Sequence, residues 1–206
     1  MNRLSPIAVA MLLVACGQTE NEPEGVADGR TRPENPMPEP AEPTPPGQAP
    51  EGAAVRVAPT QGNTASGSLA LTAEVDAVRV SGTIQGLEPN GSFGFHIHEK
   101  GDCSAPDATS AGGHFNPEKV DHGNPEGASH HVGDMPNIES DDQGAAQVDT
   151  RSSGATLHSG QPTDVLGKAI VVHEKSDDYT SQPSGNSGSR IACGVITVQP
   201  APETTG

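Results

Sequence analysis

The stretch Gly94-Phe95-His96-Ile97-His98-Glu99 predicts both a strand and its chemistry. In an extended strand, side chains two positions apart point to the same face and neighbours point to opposite faces. His96 and His98 therefore share one face, while Phe95 and Ile97 line the other. The apolar face can pack into a core while the other face presents two imidazoles a few ångströms apart. We expect this strand to carry one half of a metal site.

The composition of the chain favours strands over helices. The 206 residues include no Trp, one Tyr and three Phe, but 25 Gly and 20 Pro. Any core must therefore come from Val, Ile, Leu and Ala, and the first two favour strands. The net charge of −16 argues against nucleic acid or an anionic membrane surface as a binding partner and favours a small or neutral substrate.

Residues 1–15 have the features of a signal peptide, with Arg3 before a short apolar run that is too short to span a bilayer. The run ends in Leu13-Val14-Ala15-Cys16-Gly17, which resembles the lipobox of bacterial lipoproteins. The resemblance implies cleavage before Cys16 and a lipid on its sulfur, and several acyl chains make a stable anchor. Because no Asp follows Cys16, the resemblance also implies transport to the outer membrane. The alternative is an ordinary secretory signal with a chance Cys.

Residues 16–52 are predicted to be a disordered linker. They contain many Pro and Glu residues and almost no large apolar ones, so they cannot bury enough surface to offset their chain entropy. Prolines favour an extended, semi-stiff chain, which makes the segment a spacer between a lipid surface and a folded domain. A Pro-x-x-Pro ligand for a signalling domain is the alternative interpretation.

The folded domain is predicted to span residues 53–200, with a flexible tail at 201–206. Short alternating apolar runs broken by turn residues predict strands at 53–58, 67–75, 77–86, 92–99, 133–139, 145–151, 166–174 and 190–199. The strand at 133–139 is expected to pair with 145–151 through a turn at 141–144. Strands at this spacing predict an all-β fold, an antiparallel sandwich or Greek-key barrel.

Two connections are long and lack strand texture: the first long loop (residues 100–131) and the second long loop (residues 175–189). Long loops without their own secondary structure are uncommon in compact domains unless they are functional. Both loops contain residues with candidate chemistry, so we expect the site to lie where they meet the histidine strand.

Five phrases appear in a fixed order along the predicted domain: Gly94 to Glu99, Gly113-His114-Phe115-Asn116-Pro117, His131-Val132-Gly133-Asp134, Val172-His173-Glu174-Lys175 and Gly188-Ser189-Arg190-Ile191-Ala192-Cys193-Gly194. Together they resemble the copper/zinc superoxide dismutases over roughly residues 53–200. The resemblance implies a Greek-key barrel that dismutates superoxide to dioxygen and hydrogen peroxide, as antioxidant defence outside the cytoplasm.

The resemblance also implies a ligand set for each metal. Copper would be bound by His96, His98, His114 and His173, and zinc by His114, His122, His131 and Asp134. Imidazole suits both metals, and four protein ligands around zinc are typical of a closed structural site. His114 would bridge the metals through its two ring nitrogens, leave copper when copper is reduced, and carry a proton during the reaction.

Four further residues receive roles from the resemblance. Asp177 would link a copper histidine to a zinc histidine, which fixes the orientation of both rings. Arg190 would lie beside copper and orient the superoxide anion. Cys103 and Cys193 would form a disulfide, an even pair in an exported chain. Cys103 lies nearer to His98 than in the eukaryotic pattern, which looks like the bacterial arrangement.

The sequence departs from the animal enzymes in the second long loop. This loop has no lysine after Lys175, and Ser184 stands where those enzymes usually have Thr. Long-range steering of superoxide would therefore depend on other cations, with Lys100 and Lys119 as candidates.

Alternative functions are a copper-delivery or metal-buffering module, a noncatalytic barrel for adhesion, and a copper-only dismutase. The complete ligand set and the retained arginine argue against all three. The two remaining histidines, His130 and His158, are interpreted as surface residues. The predicted location is the periplasm or cell envelope, with a lipid anchor in the outer membrane; a homodimer is left open.

Overall fold

The computed structural model describes residues 52–199, which form a nearly all-β domain. The predictions for the signal peptide, Cys16, most of the linker and the tail lie outside the described residues. The predicted antiparallel β fold is confirmed, and the strands are Gly52–Pro59 (β1), Ser66–Ala73 (β2), Ala77–Gln85 (β3), Ser92–Phe93 (β4), Phe95–His98 (β5), Ile138–Glu139 (β6), Ala146–Ser153 (β7), Ala169–His173 (β8) and Arg190–Val198 (β9). One 3-10 turn, Thr109–Ala111, lies in the first long loop. Within residues 52–199 there is no helix of the length and apolarity that crossing a membrane would need.

Seven strands form a curled antiparallel sheet in the order β5-β8-β9-β1-β2-β3-β7, and β4 pairs with β6. The first three strands follow one another as hairpins. β8 and β9 are also consecutive strands that pair with each other, whereas the remaining pairs join strands distant in sequence: β1 with β9, β3 with β7 and β5 with β8. The first long loop follows β5, and the second joins β8 to β9. Since β5 and β8 are neighbours in the sheet, both loops begin at adjacent strands.

The core lies inside the curled sheet and consists mainly of Val, Ile and Leu, as the composition predicts. Val55 and Val57 of β1 and Val80 of β3 are at most 2% exposed, while the intervening Arg56 and Arg79 are exposed. This alternation is the period of two that a sheet with one buried face requires. Burial of each such side chain contributes about 1.5–3 kcal/mol. The result is a rigid support for the histidine strand.

The predicted strand at 92–99 is divided at Gly94. β4 pairs with β6, whereas β5 pairs with β8. The second long loop passes beside the break: the Gly94 N–H donates to the Lys175 carbonyl at 2.7 Å. A Cβ at position 94 would lie only 2.8 Å from the Cβ of Ser187, so the close approach of this loop requires glycine.

The prediction that residues 133–139 pair with β7 was wrong. The turn at 141–144 forms, with the Gly144 N–H donating to the Asp141 carbonyl at 3.1 Å. However, only Ile138–Glu139 is a strand, and its partner is β4. Pro136 interrupts the predicted strand, and it has no N–H to continue a ladder of backbone hydrogen bonds. Residues before it lie beside β5 instead.

Candidate metal centre

β5 and β8 lie side by side and carry three of the predicted copper ligands. His96 and His98 belong to β5, and His173 ends β8 after a bulge that follows Val172. All three histidines are buried. Nε2 of His98 lies 3.3 Å from Nε2 of His173, so two imidazoles from neighbouring strands converge on one point.

The first long loop and the residues after it return along β5. The Phe115 N–H donates to the Ile97 carbonyl at 2.8 Å, and the Ile97 N–H donates to the Gly133 carbonyl at 2.9 Å. The Gly133 N–H in turn donates to the Phe115 carbonyl at 2.8 Å. This closed set of backbone hydrogen bonds places the adjacent residues His114 and Asp134 beside the histidines of β5.

Seven buried residues form two groups of converging ligand atoms. The four-histidine group comprises His96, His98, His114 and His173, and the aspartate group comprises His114, His122, His131 and Asp134. Within each group the ligand atoms lie within 4.8 Å of one another. His114 belongs to both groups: its Nδ1 lies 2.8 Å from Oδ1 of Asp134, which leaves Nε2 for the four-histidine group.

The aspartate group has three imidazoles around one carboxylate. Nδ1 of His114, His122 and His131 lie 2.8, 3.0 and 3.3 Å from the oxygens of Asp134. The backbone N–H groups of His131 and Gly123 also donate to the Asp134 Oδ2, at 2.8 and 3.3 Å. The carboxylate is therefore held in place by its own loop and directed towards the three nitrogens.

Four buried ring nitrogens in the two groups have no hydrogen-bonding partner among the described residues: Nδ1 of His96, Nε2 of His114, Nδ1 of His122 and Nδ1 of His131. A buried polar atom without a partner is costly, so each requires a reason. All four belong to the sets of converging atoms, and imidazole nitrogen is a preferred ligand of copper and zinc. The donor sets therefore fit copper, which would be held by four nitrogens, and zinc, which would be held by three nitrogens and one carboxylate oxygen.

Burial disfavours the charged form of three histidines in the four-histidine group: His98, His114 and His173. Burial, followed by the neighbouring His114 and His173, lowers the pKa of His98 well below its ordinary value. Burial lowers the pKa of His114 to about 4 in spite of its hydrogen bond with Asp134. Burial and His96 lower the pKa of His173 to about 3. A neutral imidazole has the free lone pair that a metal ligand needs.

His122, which belongs only to the aspartate group, has a pKa shift in the opposite direction. Burial opposes a charge on His122, but contacts with Asp134 and Asp177 outweigh it and raise the pKa of His122 to about 9. Burial would raise the pKa of Asp134, but the hydrogen bond with His114 and the close contacts with His122 and His131 hold that pKa well below its ordinary range. The group therefore attracts positive charge, and a divalent cation can replace the proton.

Asp177 connects the two groups through the ring nitrogens that point away from the converging ligand atoms. Its Oδ2 lies 2.7 Å from Nε2 of His96, and its Oδ1 lies 3.0 Å from Nε2 of His122. Burial opposes its charge, but these hydrogen bonds hold the pKa of Asp177 below its ordinary value. An anionic acceptor makes each ring donate from Nε2, which leaves Nδ1 of each ring as the ligand atom. Asp177 therefore links one ring of each group; that these rings bind copper and zinc stays a prediction.

Arg190, the first residue of β9, is half-buried and held by two backbone carbonyls. Its Nη1 donates to the Ala108 carbonyl and its Nη2 to the Gly112 carbonyl, both at 2.6 Å. Burial lowers the pKa of Arg190 from its ordinary value, and Asp107 opposes this shift. A guanidinium remains charged in proteins, so a fixed cation lies beside the four-histidine group.

Cys103 and Cys193 are joined by a disulfide, with 5.8 Å between their Cα atoms. The bond ties the first long loop to β9, three residues after Arg190. Cys193 packs in a small apolar cluster with Ala108 and Ala111. The first long loop, whose carbonyls accept hydrogen bonds from Arg190, is therefore tied by the disulfide to β9, the strand that contains Arg190.

The remaining candidates lie outside the two groups. Nδ1 of His130 lies 2.7 Å from the His131 carbonyl, and Nε2 of His158 lies 3.2 Å from the Gly52 carbonyl. Both histidines are half-buried, so they are less exposed than the surface interpretation implies. Lys100 and Lys119 are both exposed.

Three residues of the site were missed by sequence reasoning. The Asn137 carboxamide accepts from the Asp177 N–H at 2.9 Å and donates to the Asp177 carbonyl at 3.0 Å. The hydroxyl of Tyr179 accepts from the Asn137 N–H at 2.8 Å. Gln182 pairs in the same two-point way with the backbone of His122. Single polar residues in loops have no periodic pattern, so no sequence signal identified them.

A family model described as copper/zinc superoxide dismutase matches residues 65–196 of the chain. Among curated proteins, a copper/zinc superoxide dismutase of Aquifex aeolicus is 50% identical over 117 residues, which cover 54% of this chain and 67% of that protein. An extracellular copper/zinc superoxide dismutase of Caenorhabditis elegans is 44% identical over 125 residues, covering 58% of this chain and 55% of the relative.

The fold is similar to that of a double mutant of a superoxide dismutase-like protein from Bacillus subtilis. The TM-score is 0.64 at 38% sequence identity, and the match covers 70% of this chain and 96% of the solved one. The similarity therefore extends over almost the whole of that solved chain.

Proposed function

Because this chain belongs to the copper/zinc superoxide dismutase family, we propose that its two buried groups divide the metals of that family between them. The chain is an oxidoreductase that dismutates superoxide to dioxygen and hydrogen peroxide with copper and zinc.

The four-histidine group is assigned to copper and the aspartate group to zinc. The observation that carries this assignment is the position of His114 between them, with Nδ1 at 2.8 Å from Asp134 and an unpartnered, buried Nε2. A four-nitrogen set suits copper, and a compact set with one carboxylate suits zinc. Held by these four histidines, copper would supply the redox chemistry of the reaction, since its two oxidation states would allow an electron to be taken from one superoxide and given to the next.

We assign to His114 the role of holding and delivering a proton. Each reaction cycle consumes two protons, and a buried site must hold one where the anion is reduced. Nε2 of His114 is the ring nitrogen that faces the four-histidine group, while Nδ1 remains directed at Asp134. With Nδ1 fixed in this way, the ring can take up and release a proton at Nε2 without turning.

We assign to Arg190 the role of binding and orienting the superoxide anion. Superoxide has no side groups to bind, so charge and position must provide the affinity. Two carbonyls hold the guanidinium plane, and its remaining N–H groups can donate to an anion in a fixed direction. The first long loop supplies both carbonyls, and the disulfide to β9 keeps that loop in place.

We also propose a location for the enzyme in the cell. The signal peptide at residues 1–15 would direct export, and lipidated Cys16 with the linker at 16–52 would anchor the enzyme to the outer membrane and hold it in the periplasm or cell envelope. The support is the apolar run that ends at Cys16 and the disulfide in the domain, since disulfides persist in oxidising compartments. Some relatives are extracellular enzymes by name, which is compatible with export.

Metal analysis of three variants tests the ligand assignment. His98→Ala should lose copper and keep zinc, and Asp134→Asn should lose zinc and keep copper. His158→Ala, outside both groups, is the control and should keep both metals. If Asp134→Asn retains parental zinc affinity, or if His98→Ala loses zinc in preference to copper, the assignment is wrong.

A further inference from the structure

The side chain of Gln182 makes a two-point contact with the backbone of His122. The His122 N–H donates to Oε1 of Gln182 at 2.9 Å, and Nε2 of Gln182 donates to the His122 carbonyl at 2.9 Å. The two residues are 60 positions apart in the sequence. A carboxamide that satisfies both peptide groups of one residue has the geometry of a strand partner, and it fixes the position and the direction of that residue.

His122 is thereby held from the second long loop at two levels. Gln182 binds its backbone, and Asp177 of the same loop binds its ring nitrogen Nε2 at 3.0 Å. On the other side of the ring, Nδ1 lies 3.0 Å from Oδ2 of Asp134. The imidazole of His122 therefore lies between two carboxylates, and its backbone is fixed by a neutral amide.

The surroundings of His122 give it little other support. Residues 116–137 contain no strand in the described part of the chain, so regular backbone hydrogen bonds do not fix the position of His122. His114 and Asp134, by contrast, are held beside β5 by the backbone bonds of their neighbours. Among the ligands of the aspartate group, His122 is the one whose place depends on a side chain of the opposite loop.

We infer that Gln182 is a positioning residue for zinc: it fixes the backbone of His122 and so determines how long zinc stays bound. This inference rests on the proposed zinc ligand set. A residue that orients a ligand is commonly worth tenfold to a hundredfold in metal affinity. A residue that only tied the two loops together would change the thermal stability of the protein but not the rate of zinc release at a temperature where the fold is intact.

Two substitutions separate the contacts. Gln182→Met keeps the length of the side chain and removes both hydrogen bonds. Gln182→Glu keeps the shape and the acceptor for the His122 N–H but loses the donor. Gln143→Met is the matched control, because Gln143 is exposed in the turn at 141–144 and makes no side-chain hydrogen bond within the described residues.

The measurements are the rate at which the copper- and zinc-loaded protein releases zinc to an excess of a chromogenic chelator, and the visible spectrum of protein with cobalt(II) in the zinc position. We expect Gln182→Met to release zinc about tenfold faster than the parent and to alter the cobalt spectrum. Gln182→Glu should lie between them, and Gln143→Met should match the parent. If Gln182→Met does not load with metal, the test depends on Gln182→Glu alone: faster zinc release than in the parent supports the role of Gln182, and the parental rate contradicts it.

Asp134→Asn, measured in parallel, separates failure of this inference from failure of the ligand assignment. If Asp134→Asn loses zinc readily while both Gln182 variants match the parent in release rate and spectrum, the role of Gln182 is overturned and the ligand set stands. If Asp134→Asn itself releases zinc at the parental rate, the ligand set is wrong and the inference falls with it.

Discussion

Arg190 and His98 hydrogen-bond to the same atom, the carbonyl oxygen of Gly112. Nη2 of Arg190 donates to it at 2.6 Å, and Nδ1 of His98 lies 3.0 Å from it. Arg190, the proposed substrate-binding cation, and His98, a proposed copper ligand, lie on different strands but are both positioned by the same carbonyl of the first long loop. Their separation is fixed by one peptide group, and the disulfide anchors the loop that contains it.

This relationship leads to a prediction for Arg190. With both metals bound, the parent should be the most active, Arg190→Lys about tenfold slower and Arg190→Glu about a hundredfold slower in kcat/KM, because loss of a fixed donor for a developing anion has costs of this order. Lysine keeps the charge but not the planar fork, and glutamate repels the anion. Superoxide consumption by metal-analysed protein measures the order.

The control for Arg190→Glu is Arg56→Glu, which makes the same change in net charge on the exposed outer face of β1. Arg56→Glu should retain parental activity. Increasing salt should slow the parent more than Arg190→Glu, because salt screens the attraction between the guanidinium and an anion that approaches through solvent. Parental activity in a copper-loaded Arg190→Glu protein would exclude the proposed role of Arg190.

Adjacent histidines provide a second prediction. His131→Ala should weaken zinc binding tenfold or more, because Nδ1 of His131 lies 3.3 Å from Asp134 within the converging set. His130→Ala should keep zinc, because the only hydrogen bond of its ring within the described residues is with the His131 carbonyl, outside the aspartate group. Zinc titration with a competing chelator measures both. Equal loss of zinc in the two variants would show that the register of the ligands is misassigned.

Gly185 provides a third prediction. A Cβ at this position would overlap the carboxylate of Asp177 and lie 2.8 Å from Nε2 of His122, and the φ of Gly185 is +64°. Gly185→Ala should therefore displace Asp177, weaken the binding of both metals and reduce the free energy of unfolding by about 2–5 kcal/mol, the sum of overpacking and a left-handed backbone. Metal content and denaturant unfolding measure these effects.

Gly62→Ala separates the two causes. Gly62 has a φ of +83° in the turn after β1, with no atom within 4 Å of the position that a Cβ would occupy. The control should therefore lose only the backbone contribution, about 1–2 kcal/mol, and keep both metals. If Gly185→Ala behaves like Gly62→Ala, the carboxylate of Asp177 does not need the space that we assign to it.

The membrane anchor gives a fourth prediction. Cys16→Ser removes the sulfur that would carry the lipid, so the exported protein should move from the membrane fraction to the soluble fraction. Fractionation of cells that express the parent and the variant is the measurement, with activity per molecule unchanged as the control. Membrane association that persists in Cys16→Ser would rule out a lipid at this position.

The sequence predicted the parts of the fold that repeat. The alternation in β1 to β3 and in β7 has a period of two, so strand type and the buried face were readable. His96 and His98 are two positions apart on such a strand, and their common direction follows from the same geometry. The bounds of shorter strands were not predictable, because one glycine at 94 and one proline at 136 decided them.

The ligands in the loops could be assigned only through resemblance to a family. Nothing in the local pattern around His114 or Asp134 places them beside β5, since that placement depends on hydrogen bonds between residues far apart in sequence. The amides of Asn137 and Gln182 were missed for the same reason. Their effect depends on a particular backbone group across the site, and residue type alone does not identify such a contact.

The most direct test of the account is the rate of superoxide decay with protein that contains one copper and one zinc per chain, compared with the same protein after selective removal of copper. We predict rapid catalytic decay through many turnovers with both metals, and a fall to the uncatalysed rate when copper is absent and zinc remains. Restoring copper should restore the rate. If the fully loaded protein consumes superoxide no faster than the copper-free protein, the chain is a metal carrier on this fold, and its assignment as a dismutase is contradicted.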